Sequence, residues 1–140
     1  MLKSAFAFSP VVLGLALAGT LCSCSVVEYF LGSPRVRETH PVVIGGTPEA
    51  PSFTPDPVSA YPLDSIQWTH SFSVTVVVDL ENVPVTPKQL VLPEGVAGGV
   101  MVLDTASAGH YKYTLMVVRA EGDTVVVADP YIDVEPKGRH

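Results

Sequence analysis

Between Ser71 and Leu80 the chain alternates with a period of two: Phe72, Val74, Val76, Val78 and Leu80 fall on one face, and Ser71, Ser73, Thr75 and Asp79 on the other. Only Val77 breaks the polar side. Successive side chains of a strand point to opposite faces, so this pattern predicts a half-buried antiparallel strand over 71–80. A second strand is expected over Tyr111–Arg119, a tight turn over Ala120–Asp123 and a return strand over Thr124–Ala128, with Gly122 supplying the positive φ that such turns favour. Asp129-Pro130 then interrupts the ladder, because proline donates no hydrogen bond, and Tyr131–Val134 resumes it at a bulge or edge. Pro84, Pro87 and Pro93 bracket a short strand at Lys88–Leu92, expected at an edge, and Gly95, Gly98 and Gly99 lead into another at Val100–Leu103. Short strands without a helical period, and no internal repeat, predict an all-β fold: a small antiparallel sandwich or barrel.

The first sixty residues read differently. Lys3 precedes a mostly apolar run from Ala5 to Leu21, which is short for a membrane span of roughly 20 residues and rich in small residues. This predicts a cleaved secretory signal over 1–23, with a retained anchor as the alternative. Gly32–Leu63 then carries seven prolines among Gly, Ser, Thr and Glu. Prolines at that density disfavour helix and central strand, so residues 24–63 are expected to be an extended tether and residues 64–140 the folded domain. Within the tether, Pro41–Gly45 could instead form a short strand that joins the domain.

Cys22 and Cys24 are the only cysteines. A disulfide between residues two apart is severely strained, and a metal site needs ligands that are not nearby in sequence. Leu21-Cys22-Ser23-Cys24 resembles the lipobox of bacterial lipoproteins, with a leucine at −3, a small serine at −1 and the modified cysteine at +1. The resemblance implies that residues 1–23 are removed and that Cys24 carries the acyl chains. Two or more chains hold a protein at a membrane where one is marginal. Ser25 at +2 implies the outer membrane under the sorting rule of enteric bacteria, facing the periplasm.

Composition supports a core and narrows the partners. Of 140 residues, 47% are apolar and 16% charged, which suffices for a core after the N-terminal segment is removed. The net charge of −6 becomes −7 without Lys3, so phosphate backbones meet repulsion and nucleic-acid binding is not expected.

Asp104-Thr-Ala-Ser-Ala-Gly-His-Tyr-Lys-Tyr-Thr-Leu115 resembles the approach to strand F of immunoglobulin-like domains. By that resemblance Tyr111 is the corner tyrosine that bonds upstream backbone, and Tyr113 stands where many such domains have cysteine. It implies an immunoglobulin-like β-sandwich and no particular ligand.

Candidate chemistry is sparse. His70 and His110 could meet at one end of a sandwich with Asp104 or Asp129, although isolated histidines at strand starts are commonly just exposed polar residues. A blue-copper centre needs a thiolate, and no cysteine follows residue 24. Ser107 precedes His110 without the glycine-flanked elbow of a hydrolase. Asp129 and Asp133 flank Tyr131 and are expected to be solvated on an edge strand, where charge blunts aggregation. Trp68, Tyr131, Tyr61 and Phe53 either cap the core or anchor a partner. No catalytic residue, metal or cofactor is assigned. These features lead us to expect a lipid-anchored envelope protein that presents an interaction module to an envelope protein or polymer. An accessory subunit of an assembly or secretion complex is the alternative, and an enzyme ranks last.

Overall fold

Hydrophobic alternation punctuated by proline and glycine produces twelve short strands in the computed structural model, which describes residues 35–138. In chain order they are β1 (Thr39–Thr47), β2 (Ala50–Thr54), β3 (Val58–Ala60), β4 (Ser65–His70), β5 (Thr75–Asp79), β6 (Val85–Thr86), β7 (Gln89–Leu92), β8 (Gly98–Val102), β9 (Gly109–Lys112), β10 (Thr114–Val118), β11 (Thr124–Ala128) and β12 (Tyr131–Val134). They build a five-stranded sheet in the order β2-β1-β4-β8-β6, a four-stranded sheet β11-β10-β5-β7 and a three-stranded sheet β3-β12-β9. One core joins the three: Ile44, Ile66, Trp68 and Val102 from the first, Val76, Val78, Leu92 and Leu115 from the second, Val58 and Ile132 from the third. The domain is therefore the expected all-β sandwich of mainly antiparallel sheets. Two of its ladders, β1 with β4 and β3 with β12, are parallel.

The long hairpin expected over 111–134 forms, but it bends from one sheet into another. At Tyr113 the chain leaves β9 in the three-stranded sheet for β10 in the four-stranded one, and Asp129-Pro130 makes the same change between β11 and β12. The Tyr113 N–H donates to the Pro130 carbonyl at 3.0 Å, so the two strands turn the corner side by side. A register shift between Leu115 and Met116, opposite Ala128 and Val126, adds a bulge just before it. At the far end the turn closes with Gly122 at φ 89° and the Arg119 N–H donating to the Asp123 carbonyl.

Three sequence expectations are corrected. Residues 39–63 are no tether: β1, β2 and β3 lie there, and the compact unit runs from Arg37. Pro48, Pro55, Pro57 and Pro62 lie between strands and Pro51 is on the edge strand β2, while β1 and β3 are paired in parallel with β4 and β12. Residues 24–34 lie outside the described residues, as do 1–23. The strand expected over 71–80 pairs only from Thr75 to Asp79, because 71–74 carry the chain from the first sheet to the second. Phe72 is buried all the same, so the alternation there recorded burial rather than pairing. Finally, β12 is the centre of its sheet and not an edge, since β3 flanks it.

Candidate functional site

Trp68 and Tyr113 are core residues. Trp68, in β4, is completely buried and donates its indole N–H to the Tyr113 hydroxyl at 3.2 Å, with the rings edge to face. Phe53 of β2 packs edge-on against the other side of Tyr113. Burial pushes the Tyr113 hydroxyl well above its ordinary pKa, and the Trp68 hydrogen bond offsets this only in part. Trp68 is thus unavailable as an exposed anchor for a partner. The strand that buries it was missed because His70 broke the inward run of Ile66 and Trp68. That imidazole is in fact inward too, donating Nε2–H to the Leu92 carbonyl at 2.8 Å and accepting the Phe72 N–H on Nδ1 at 3.1 Å.

Tyr111 donates its hydroxyl to the Ser107 carbonyl, four residues upstream, at 2.9 Å. Around it, the outer face of the three-stranded sheet is polar. His110 stacks on Tyr131 with ring centroids 4.1 Å apart and pairs through Nδ1 with Asp133. Lys112 meets Asp129 at 2.9 Å, and the Thr114 hydroxyl donates to the same carboxylate at 3.1 Å. That pairing raises the Lys112 ammonium and lowers the Asp129 carboxyl, the hydrogen bond being the largest cause in each. Asp129 and Asp133 are therefore paired across a central strand instead of lying free on an edge. Asp104 pairs with Lys137. His70 and His110 serve different sheets and different partners, and no cluster of three or more His, Cys, Asp or Glu that could hold a metal occurs among the described residues. Cys24 lies outside the described residues.

A buried carboxylate that sequence reasoning overlooked anchors the start of the fold. Asp64 is fully buried and accepts from His40 Nε2 at 2.9 Å and from the backbone N–H groups of Tyr61 and Glu38. The turn that delivers it has Pro62 then Leu63 at φ 73°, closed by the Asp64 N–H donating to the Tyr61 carbonyl. That is the type II pattern, with leucine where glycine is usual.

The surface most suited to a partner surrounds β11. Register places Val126, Met116, Val77 and Val91 side by side across all four strands of the second sheet, on its outer face. Val126 and Val91 are 57% and 58% exposed, whereas Val77 is covered from its flanks. The one irregularity in the 71–80 alternation is thus the middle of an apolar row. On the inner side of the same sheet, Val74, Val117, Val125 and Val127 floor a cavity of about 440 Å³. The turn at Pro48 and Glu49 and the hairpin tip at Arg119–Glu121 rim it. Val126 borders the cavity as well, so the apolar surface is continuous around β11, an edge strand.

No protein-family model matches this chain, and no curated protein matches it. Among solved structures it is similar to a mutant of amicyanin described in the Cu(I) state, at a TM-score of 0.45 and 15% identity, covering 69% of this chain and 82% of that one. A second, oxidised amicyanin mutant gives a TM-score of 0.44 at 14% identity, with the same 69% and 82% coverage. A third, reduced at pH 4, gives 0.42 at 14% identity, covering 75% of this chain and 88% of that one. Overlap this low assigns neither a family nor a ligand.

Proposed function

We propose that this chain is a lipid-anchored protein of the bacterial envelope whose β-sandwich is an interaction module. Cys24 is the acylated residue once 1–23 are removed, and the sandwich docks an envelope component through β11. The observation that supports docking is the continuity of apolar surface from the 440 Å³ cavity over Val126 to the Met116–Val77–Val91 row. Exposed apolar patches of this kind mark interaction sites, and an edge strand offers unpaired backbone to an extended segment. Asp123 and Asp129 flank the strand in sequence and oppose uncontrolled edge-to-edge pairing.

Two measurements test this. Mass spectrometry of the mature N-terminus is expected to find an acylated cysteine at 24, and an uncleaved chain with free Cys22 and Cys24 would refute the anchor. A photo-crosslinking residue at Val126 or Val91 is expected to trap one discrete envelope partner in cells, and Val126→Lys is expected to abolish trapping from position 91. Equal trapping from Thr105, an exposed loop position that belongs to neither sheet's outer face, would refute docking at β11.

A further inference from the structure

The outer face of the five-stranded sheet has a character of its own. The chain is acidic, with a net charge of −6. Yet the only ionisable side chains in the strands of this sheet are His40 and His70, and both turn inward, to Asp64 and to the Leu92 carbonyl. Outward, register places Thr39, Ser65, Met101 and Thr86 in one row across four strands. Pro41, Gln67 and Gly99 form the next row, and Thr54, Val43 and Thr69 a third. The first row, with Gln67 and Gly99 of the second, borders a shallow cavity of about 470 Å³. Gly99 keeps its floor low: a Cβ there would stand 3.2 Å from the Ile66 carbonyl oxygen.

We propose that this face binds a neutral, extended polyhydroxy polymer, namely an uncharged β-1,4-linked glycan. Hydroxyls and a carboxamide each donate and accept, so Thr39, Ser65, Thr86 and Gln67 match alcohol groups in either sense. No charged side chain belongs to the strands of this face, with Arg37 and Glu38 at its margin before Thr39, and the acidic remainder of the domain repels anionic polymers. Met101, Pro41 and Val43 offer aliphatic surface to the C–H faces of sugar rings. A shallow, open trough fits a flat ribbon of rings better than a compact ligand, which calls for enclosure. A second copy of the chain fits less well. Strands about 4.8 Å apart and roughly five residues long give this face a footprint on the order of 400 Å². Stable protein pairs need about 800 Å² from each partner. The site is separate from the β11 surface and does not depend on it.

The test is an NMR titration of the full chain in a sugar-free detergent, with chitohexaose and cellohexaose as probes and hexagalacturonate as the anionic control. The Met101 methyl and Gln67 carboxamide signals are expected to shift saturably with at least one neutral hexamer and not with the anionic one. Gln67→Glu places a carboxylate on an exposed position that the fold tolerates, and it is expected to weaken binding by about 10-fold. No shift with either neutral hexamer at millimolar concentration overturns the proposal, as does an equal response to hexagalacturonate. Shifts at this face that track protein concentration without any glycan assign it to a second copy and also overturn it. Crosslinking at Val126 is read independently, so failure here leaves the β11 reading standing.

Discussion

Trp68 and Tyr113, 45 residues apart, meet edge to face with ring centroids 5.7 Å apart and share a 3.2 Å hydrogen bond inside the core. The indole N–H has no water to turn to. Tyr113→Phe keeps the ring and strands that donor, so it is expected to cost about 1–2 kcal/mol at neutral pH by urea denaturation. The folded-state pKa of Tyr113 lies above its unfolded value, so the stability linked to its proton is intact below the unfolded pKa, about 10. It is lost as pH rises beyond that, and the gap between wild type and Tyr113→Phe is expected to close in alkaline solution. A gap that stays constant with pH would show that the buried hydroxyl is not the cause.

Tyr111→Phe removes only the hydroxyl that bridges to the Ser107 carbonyl. The bond is exposed, and a net loss of about 0.5–1 kcal/mol is expected. Amide exchange should rise in the 104–110 loop first, because this contact ties that loop to β9. Uniform exchange across the domain would argue against the corner as a local clamp.

Asp64 joins the turn at 61–64 to the beginning of β1 through three acceptor contacts. Asp64→Ala leaves the Glu38 and Tyr61 N–H groups and the His40 side chain without that carboxylate, at an expected cost of about 3 kcal/mol. His40→Ala removes one partner at a partly exposed position and is expected to cost about 1 kcal/mol. Thermal unfolding of both variants separates the two, and equal losses would mean that the His40 contact, not the backbone contacts, holds β1.

The Lys112–Asp129 pair sits in solvent at the corner where β9 gives way to β10. The Asp129 carboxyl is lowered, so its contribution is present above the ordinary carboxylate pKa and is lost as pH falls through the folded value. Asp129→Asn is therefore expected to flatten the acid limb of the Tm profile between about pH 5 and 2. The difference from wild type should shrink in 1 M salt, where the screening length falls to about 3 Å. An acid limb unchanged by the substitution would assign the acid sensitivity to another carboxylate.

Several features were legible because their causes are local. Period-two alternation located β5, since burying one face of a pleated strand imposes that pattern wherever the partner lies. Proline and glycine punctuation located β7, β8 and β12, and the turn at Gly122 located β10 and β11, each to within a few residues. Gly122 located the hairpin tip for the same kind of reason, a positive φ being a property of one residue. The position of Tyr111 near an upstream loop was also readable, since the bond it makes spans only four residues.

What the chain by itself determined, then, is an all-β domain, its principal strands and an acidic charge balance. The sequence offered a strand at Pro41–Gly45, which lies within β1, but tertiary structure decided that the rest of residues 39–63 belongs with the sheets. Their prolines look like tether, and the strands that pair with β1 and β3 in parallel are not adjacent in sequence, so no hairpin signal announces them. It also decided the fate of Val77 and Met101. Each is an apolar residue at an outward position, and only register across neighbouring strands makes one the centre of an apolar row and the other part of an uncharged face. Local pattern reports which way a side chain points, whereas its neighbours across the ladder are set by long-range pairing.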